Sequence, residues 1–415
     1  MNKKLSSKEL LFIKNLFLTT VLGGVIGILN YLFNIFIARY TDQNIFSIFS
    51  STLGITYLIQ IPAVAIQALV TKAVAQNKEK DLNSYKWRSF IVFSLMGIIF
   101  SLIFFLNKGV ISEIASIPRE TIFFLALTFL FAFVSPVAKG LLLGLEKIVT
   151  VNIILLSETI LRFIMGAIAI KMGGSLPLLI LASSVPAVIS TIIVLPLVRF
   201  NKEREEKVKI NFKELLLITI SFLLLTSPYT IDLILINPSF RAEYAAISLL
   251  GKLIYFAAIT TSSVMFARLT NEKEIKHQRT SLMISLSLAS FIGLFLSFLF
   301  FLFNDYVVDL TLGSQYEMIS RYIGIFGLCM TGFAFVYMVA NFFISKGYYS
   351  YLYILLVTTI LQITLFTTRN DSLDMVIRNQ IGVYIFLTLS TLIFLLFKLK
   401  NIKNGEKEYS REEVQ

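Results

Sequence analysis

The sequence predicts an all-α polytopic membrane protein of about twelve transmembrane helices. Three observations predict it. Long apolar runs recur along the whole chain, the polar connections between them are alternately rich and poor in Lys and Arg, and 56% of the residues are hydrophobic against 15% charged. A helix crossing about 30 Å of hydrocarbon needs roughly 20 mostly apolar residues, because lipid offers backbone amides no hydrogen-bond partner. The 38 phenylalanines and a mean hydropathy of +0.80 exceed what a soluble surface of this size tolerates.

The spans fall near 15–38, 45–71, 89–107, 121–143, 150–170, 176–198, 214–237, 243–267, 281–303, 321–345, 348–368 and 377–397. The first follows Lys3, Lys4 and Lys8 like a signal peptide, but its apolar stretch is too long and lacks a small-residue cleavage pattern, so it reads as an uncleaved span. Polar connections are short; 72–88, 199–213 and the tail from 398 are too small for an independent core. Pro62, Pro136, Pro186, Pro196 and Pro228 lie inside spans, where each removes an amide donor and bends the helix.

About 26 of the 37 basic residues fall in the amino-terminal segment, the even-numbered connections and the tail, the pattern of cytoplasmic loops. Lys72, Lys78, Lys80, Lys86 and Arg88 form one such group, and Arg199, Lys202, Arg204, Lys207, Lys209 and Lys213 another. Both termini are therefore expected in the cytoplasm, in a multi-pass protein of the cell (inner) membrane. The net charge of +12 reads as topology signal and contact with anionic membrane lipids rather than nucleic-acid binding. The single cysteine, Cys329, excludes a disulfide framework or a Cys-based metal site.

The basic linker divides the spans six and six. The expected organisation is a bundle over 1–199, a linker over 200–213, a second bundle over 214–398 and a tail over 399–415. A weak internal repeat lays Ile37–Lys72 over Ile234–Leu269, with Gly54 over Gly251, at a shift of about 197 positions. Two such bundles are expected to be related by a pseudo-two-fold axis along the membrane normal.

Charges within spans cost roughly 2.5–3.5 kcal/mol on insertion scales, so those retained face a partner or a wet cavity. Glu158 and Arg162, four residues apart in span five, can pair on one helix face. Asp232 in span seven and Lys252 in span eight can meet across their hairpin, either as a neutralised pair that locks it or as a coupling-ion and anion site. Asn30 and Asn34, Gln60 and Gln67, Asn341 and Gln362 add uncharged polar groups that either line a sugar-compatible cavity or join helices. Aromatics such as Tyr255, Phe256, Phe333, Phe335 and Tyr337 are expected mostly toward lipid. No catalytic spacing is recognisable: His277 stands in a charged connection, and there is no HExxH, P-loop or GxGxxG pattern. No cofactor or metal is expected.

The segment Tyr229-Thr230-Ile231-Asp232-Leu233-Ile234-Leu235-Ile236, followed by Ala242-Glu243-Tyr244-Ala245-Ala246, Gly251-Lys252 and Phe266, resembles the polysaccharide-biosynthesis (oligosaccharide flippase) family. That family belongs to the multidrug/oligosaccharidyl-lipid/polysaccharide exporter superfamily. Asn30-Tyr31-Leu32-Phe33-Asn34 through Ala38-Arg39-Tyr40, and Gly140 to Lys147 through Arg162, are similar to it as well. The family usually continues Leu-Gly-Pro after Ala38-Arg39, whereas Thr41–Phe46 has neither Gly nor Pro, and Ala267 replaces a common proline.

The resemblance implies a non-enzymatic flippase that carries an undecaprenyl-diphosphate-linked oligosaccharide to the outer leaflet by alternating access, for O-antigen, capsule or exopolysaccharide synthesis. Polysaccharide polymerases and glycosyltransferases are possible partners. Positive charge for the diphosphate would come from Lys252, Arg39 and Arg162, and sugar contacts from Asn30, Asn34, Gln60, Gln67 and Asn341. The alternatives are a cation-coupled multidrug exporter of the same superfamily using Asp232 and Glu158, and a membrane polymerase or glycosyltransferase. Against the last, the longest outer connection, 304–320, carries Asp305, Asp309 and Glu317 in no catalytic spacing.

Overall fold

The computed structural model describes residues 7–77, 82–198, 210–271, 275–345 and 349–412, with side chains described for 18, 22–77, 82–198, 210–258, 280, 282–343 and 350–398. Lys78, Lys80 and most of the 200–213 linker lie outside the described residues, as do the side chains of Phe266 and His277 and those of the 399–415 tail.

Among the described residues the chain forms fifteen α-helices and four short 3-10 turns. In order the helices are α1 Ser7–Tyr40, α2 Gln43–Gln76, α3 Leu82–Leu106, α4 Lys108–Ala115, α5 Arg119–Gly144, α6 Ile148–Lys171, α7 Leu176–Leu197, α8 Phe212–Thr226, α9 Ile231–Leu235, α10 Arg241–Asn271, α11 Ile275–Leu302, α12 Asn304–Thr311, α13 Ser320–Ser345, α14 Leu352–Thr368 and α15 Leu373–Glu412. Twelve of them have 15 or more residues, matching the expected number of spans. Ten segments are long and apolar enough to cross a membrane. The other two long helices are α14, with 17 residues, and α10, with 31.

Hydroxyl side chains close their bonds locally, as an apolar surround requires. Thr52, Thr56 and Thr71 each donate to the carbonyl four residues earlier. Asp42 starts α2 by accepting from the Asn44 amide at 2.8 Å. Small residues set the close approach of helices. A Cβ on Gly144 would stand 2.5 Å from Val74 Cβ, and one on Gly140 2.9 Å from Val70 Cβ, so α5 lies directly on α2. Gly166 likewise admits the ring of Phe33, joining α6 to α1.

The proline bends resolve unequally. Pro62, Pro136, Pro186 and Pro196 sit inside continuous helices. At Pro228 the expected span 214–237 is broken instead: α8 ends at Thr226, Ser227–Tyr229 form a 3-10 turn, and α9 resumes at Ile231. The carbonyl of Pro228 leaves the helical ladder and accepts from Gln362 Nε2 at 2.9 Å, Gln380 Nε2 at 2.8 Å and Tyr384 Oη at 3.1 Å.

The two halves repeat their elements. α2, α4 and α7 begin at Gln43, Lys108 and Leu176; α10, α12 and α15 begin at Arg241, Asn304 and Leu373, each near the 197-position shift. Even the 8-residue connecting helix recurs, as α4 and α12. By contact the chain divides into two compact units, Met1–Thr226 with Leu233–Ala245, and Ser227–Asp232 with Ala246–Gln415. Within the first unit α8 packs on α2, where Lys72 Nζ meets Glu214 at 2.5 Å.

Candidate functional site

Within the first unit a polar cluster lies among apolar helices. α1, α5, α6 and α7 contribute Asn30, Lys139, Glu158 with Arg162, and Ser190. Arg162 Nη1 donates to Asn30 Oδ1 at 2.7 Å, and its guanidinium lies 6.0 Å from the centre of the Phe33 ring. Asn30 Nδ2 reaches Thr159 Oγ1 at 3.4 Å, and Asn34 donates to the Asn30 carbonyl at 3.0 Å. The helical spacing on α1 and α6 thus places these groups on facing stripes, with Gly166 and Phe33 setting the approach.

The Glu158–Arg162 pair that one helical turn allows does not form as a direct contact. Glu158 instead meets Lys139 at 2.9 Å and accepts from Ser190 Oγ. Lys139 is a more compact partner, a point charge on a facing helix, and both side chains are largely buried. Arg162 remains within electrostatic reach of Glu158 and Tyr57. Its Nε is buried with no hydrogen-bond partner, as is Asn34 Oδ1. Lys139 was legible in the sequence as a charge inside span four, by the same criterion that singles out Glu158. Ser190 carried no such signal.

In the second unit Asp232 (0% exposed) and Lys252 (5% exposed) are both buried. They lie within electrostatic reach of each other, as the hairpin spacing anticipates, and Asp232 is also within reach of Tyr384. The Lys252 ammonium stands 5.6 Å from the centre of the Tyr229 ring. That ring belongs to an aromatic cluster, with Tyr255 at 5.7 Å and Phe333 at 5.3 Å; Tyr255 also meets Tyr337 at 5.7 Å, and Phe333 meets Tyr384 at 5.7 Å. Tyr255 and Phe333, expected toward lipid, are buried here. The reason is the Pro228 break, which places Tyr229 beside them; an aromatic wall next to a cation is mutually stabilising.

Gln362, Gln380 and Tyr384 gather on the Pro228 carbonyl beside this cluster, and Gln362 Nε2 also bonds Gln380 Oε1 at 2.9 Å. The roles of Gln380 and Tyr384 were not readable from the sequence, since they follow from where the helix breaks. The remaining sequence-derived residues are not in these hydrogen-bonded clusters. Arg39 is exposed in the last turn of α1, Gln60 is exposed and Gln67 half-buried on α2. Asn341 donates to the Tyr337 carbonyl of its own helix at 2.9 Å.

Taken with twelve long helices among the described residues, these buried polar clusters describe a polytopic membrane protein. The fold is shared with an inward-facing multidrug resistance MATE family transporter of the MOP superfamily, at TM-score 0.73 and 14% identity over 92% of this chain and 96% of that one. Lipid II flippase MurJ in an inward closed conformation gives 0.75 and 11%, over 91% and 87%. A MOP superfamily transporter from Pyrococcus furiosus, described as having a binding pocket of reversed polarity, gives 0.65 and 14%, over 94% and 96%. No curated protein matches the sequence. The chain belongs to the polysaccharide biosynthesis protein family, which matches residues 12–241.

Proposed function

We propose that the protein is a flippase that moves an undecaprenyl-diphosphate-linked oligosaccharide from the cytoplasmic to the outer leaflet by alternating access, for cell-surface polysaccharide synthesis. The observation that carries this reading is a cationic side chain among the helices of each unit by itself, half-buried Arg162 in the first and buried Lys252 in the second. Arg162 keeps an unpartnered Nε donor among apolar helices, and Lys252 is held under an aromatic wall. A diphosphate offers each of them charge-assisted hydrogen bonds that lipid cannot. The aromatic faces and the amides of Asn30 and Asn34 suit sugar rings, while a polyprenyl tail needs only the bilayer. Membership of the polysaccharide biosynthesis family and the fold shared with a lipid II flippase support the same substrate class.

The arrangement speaks against Glu158 as a coupling carboxylate, because both its oxygens are taken, one by Lys139 and one by Ser190. This reading places the protein in the cytoplasmic membrane with both termini inside, beside the polymerase and glycosyltransferases that use the same lipid carrier. Lys252→Ala and Arg162→Ala are the test. Each protein is expected to insert and accumulate normally yet restore little surface polysaccharide to cells lacking the native gene. Full restoration by an expressed Lys252→Ala protein would overturn the assignment of Lys252.

A further inference from the structure

Glu158 and Arg162 stand one turn apart on α6 with the carboxylate on the amino-terminal side, the order in which such a pair is most favourable on a helix. They are nevertheless kept apart. One Glu158 oxygen meets Lys139 Nζ of α5 at 2.9 Å, and the other accepts from Ser190 of α7. The lysine and the carboxylate are 13% and 9% exposed. The space beside Lys139 and Ser190, lined also by Ser135, Ile154 and Val194, is too tight to admit water. Lys139 and Glu158 therefore neutralise each other where solvent gives no help.

The surplus positive charge of the cluster then belongs to half-buried Arg162. Its guanidinium turns to α1, where Nη1 donates to Asn30 Oδ1 at 2.7 Å and the Phe33 ring centre lies 6.0 Å away, while Nε has no acceptor. A neutral amide and a ring leave that charge uncompensated. A carboxylate would compensate it and occupy the planar fork that suits a phosphate group. With Lys139 removed, Arg162 is the cation within electrostatic reach of Glu158, and a buried carboxylate left without a partner is costly enough to seek it.

We propose that Lys139, together with Ser190, holds Glu158 away from Arg162 and so keeps the guanidinium open to an anionic group of the diphosphate type. Lys139 is then a positioning residue with no contact to substrate. This inference rests on the proposed function, which supplies the diphosphate.

The first measurement is undecaprenyl diphosphate binding to purified full-length protein in detergent. Lys139→Met is expected to lower the affinity about tenfold or more, the effect of losing charged hydrogen bonds, as Arg162→Gln does directly. Glu158→Gln keeps the shape without the charge and should bind like the native chain, and adding it to Lys139→Met should restore binding. A pair with only a structural role would make both single variants fail alike. Equal loss in Lys139→Met and Glu158→Gln, or native affinity in Lys139→Met, overturns the proposal.

The second measurement needs no ligand. With Lys139 present, Arg162→Gln should shift the thermal midpoint by nearly the same amount whether or not Glu158→Gln is also made. In Lys139→Met the two shifts should differ by about 2 °C or more, because a new ion pair is then broken. Additivity in both backgrounds overturns the proposal. If Lys139→Met does not fold, Ser190→Ala, which frees one Glu158 oxygen, takes its place, and additivity there overturns it equally. Should the native chain bind no undecaprenyl diphosphate, the proposed function fails while this comparison still decides what Lys139 does.

Discussion

The two halves repeat one order of helices but solve the problem of polarity inside a membrane differently. In the first half α1 runs unbroken past Asn30, and polar groups meet as side chains: Arg162 on Asn30, Lys139 on Glu158. In the second half the corresponding span breaks at Ser227–Tyr229, and the main chain itself becomes the polar group, its Pro228 carbonyl held by two glutamines and a tyrosine. An intact helix satisfies its own amides and frees side chains to pair. A broken helix must instead recruit donors, and it brings aromatic rings and a buried lysine together as it turns.

That contrast is sharpest at the Lys139–Glu158 pair. Removing one buried partner strands the other charge, at about 3–5 kcal/mol, whereas replacing both by apolar residues is near neutral or stabilising. Glu158→Ala should therefore lower the thermal midpoint in detergent strongly, and Lys139→Met with Glu158→Leu should recover most of it. If the double variant is as unstable as the single, the pair is not the unit described here.

Helix contact comes next. Gly144→Leu drives a side chain into Val74, where even a Cβ would sit at 2.5 Å; overpacking costs typically 1–3 kcal/mol. Thermal unfolding should show that loss, and a neutral result would mean α2 and α5 are less closely seated. At the helix break, Gln380→Ala removes one of three donors from the Pro228 carbonyl. The expected loss is at the low end of about 1–3 kcal/mol, because Gln362 and Tyr384 remain. The smallest effect belongs to Lys72→Ala. Its bridge to Glu214 has a half-exposed lysine, so the change should stay within about 0.2–1 kcal/mol and shrink further in high salt.

Most of the architecture was legible in the sequence because length and apolarity are what a bilayer demands. The shift of about 197 positions read from Gly54 and Gly251 reappears in the starts of α4 and α12. The site was legible only in part. Glu158, Arg162, Asp232 and Lys252 announce themselves as charges within spans, and Asn30 as a polar residue one turn from Asn34. Their partners do not follow from spacing along one helix, since Lys139 and Ser190 come from facing helices, and the roles of Gln380 and Tyr384 exist only because Pro228, alone of five intramembrane prolines, breaks its helix. The neighbourhood that separates Pro228 from Pro62 or Pro136 is tertiary.

The most direct measurement is the leaflet location of lipid-linked oligosaccharide in cells lacking the gene, scored by access of an impermeant sugar-specific probe. The account predicts accumulation in the inner leaflet, relieved by the native protein and not by Lys252→Ala. Lipid-linked oligosaccharide reaching the outer leaflet normally without the protein would contradict it.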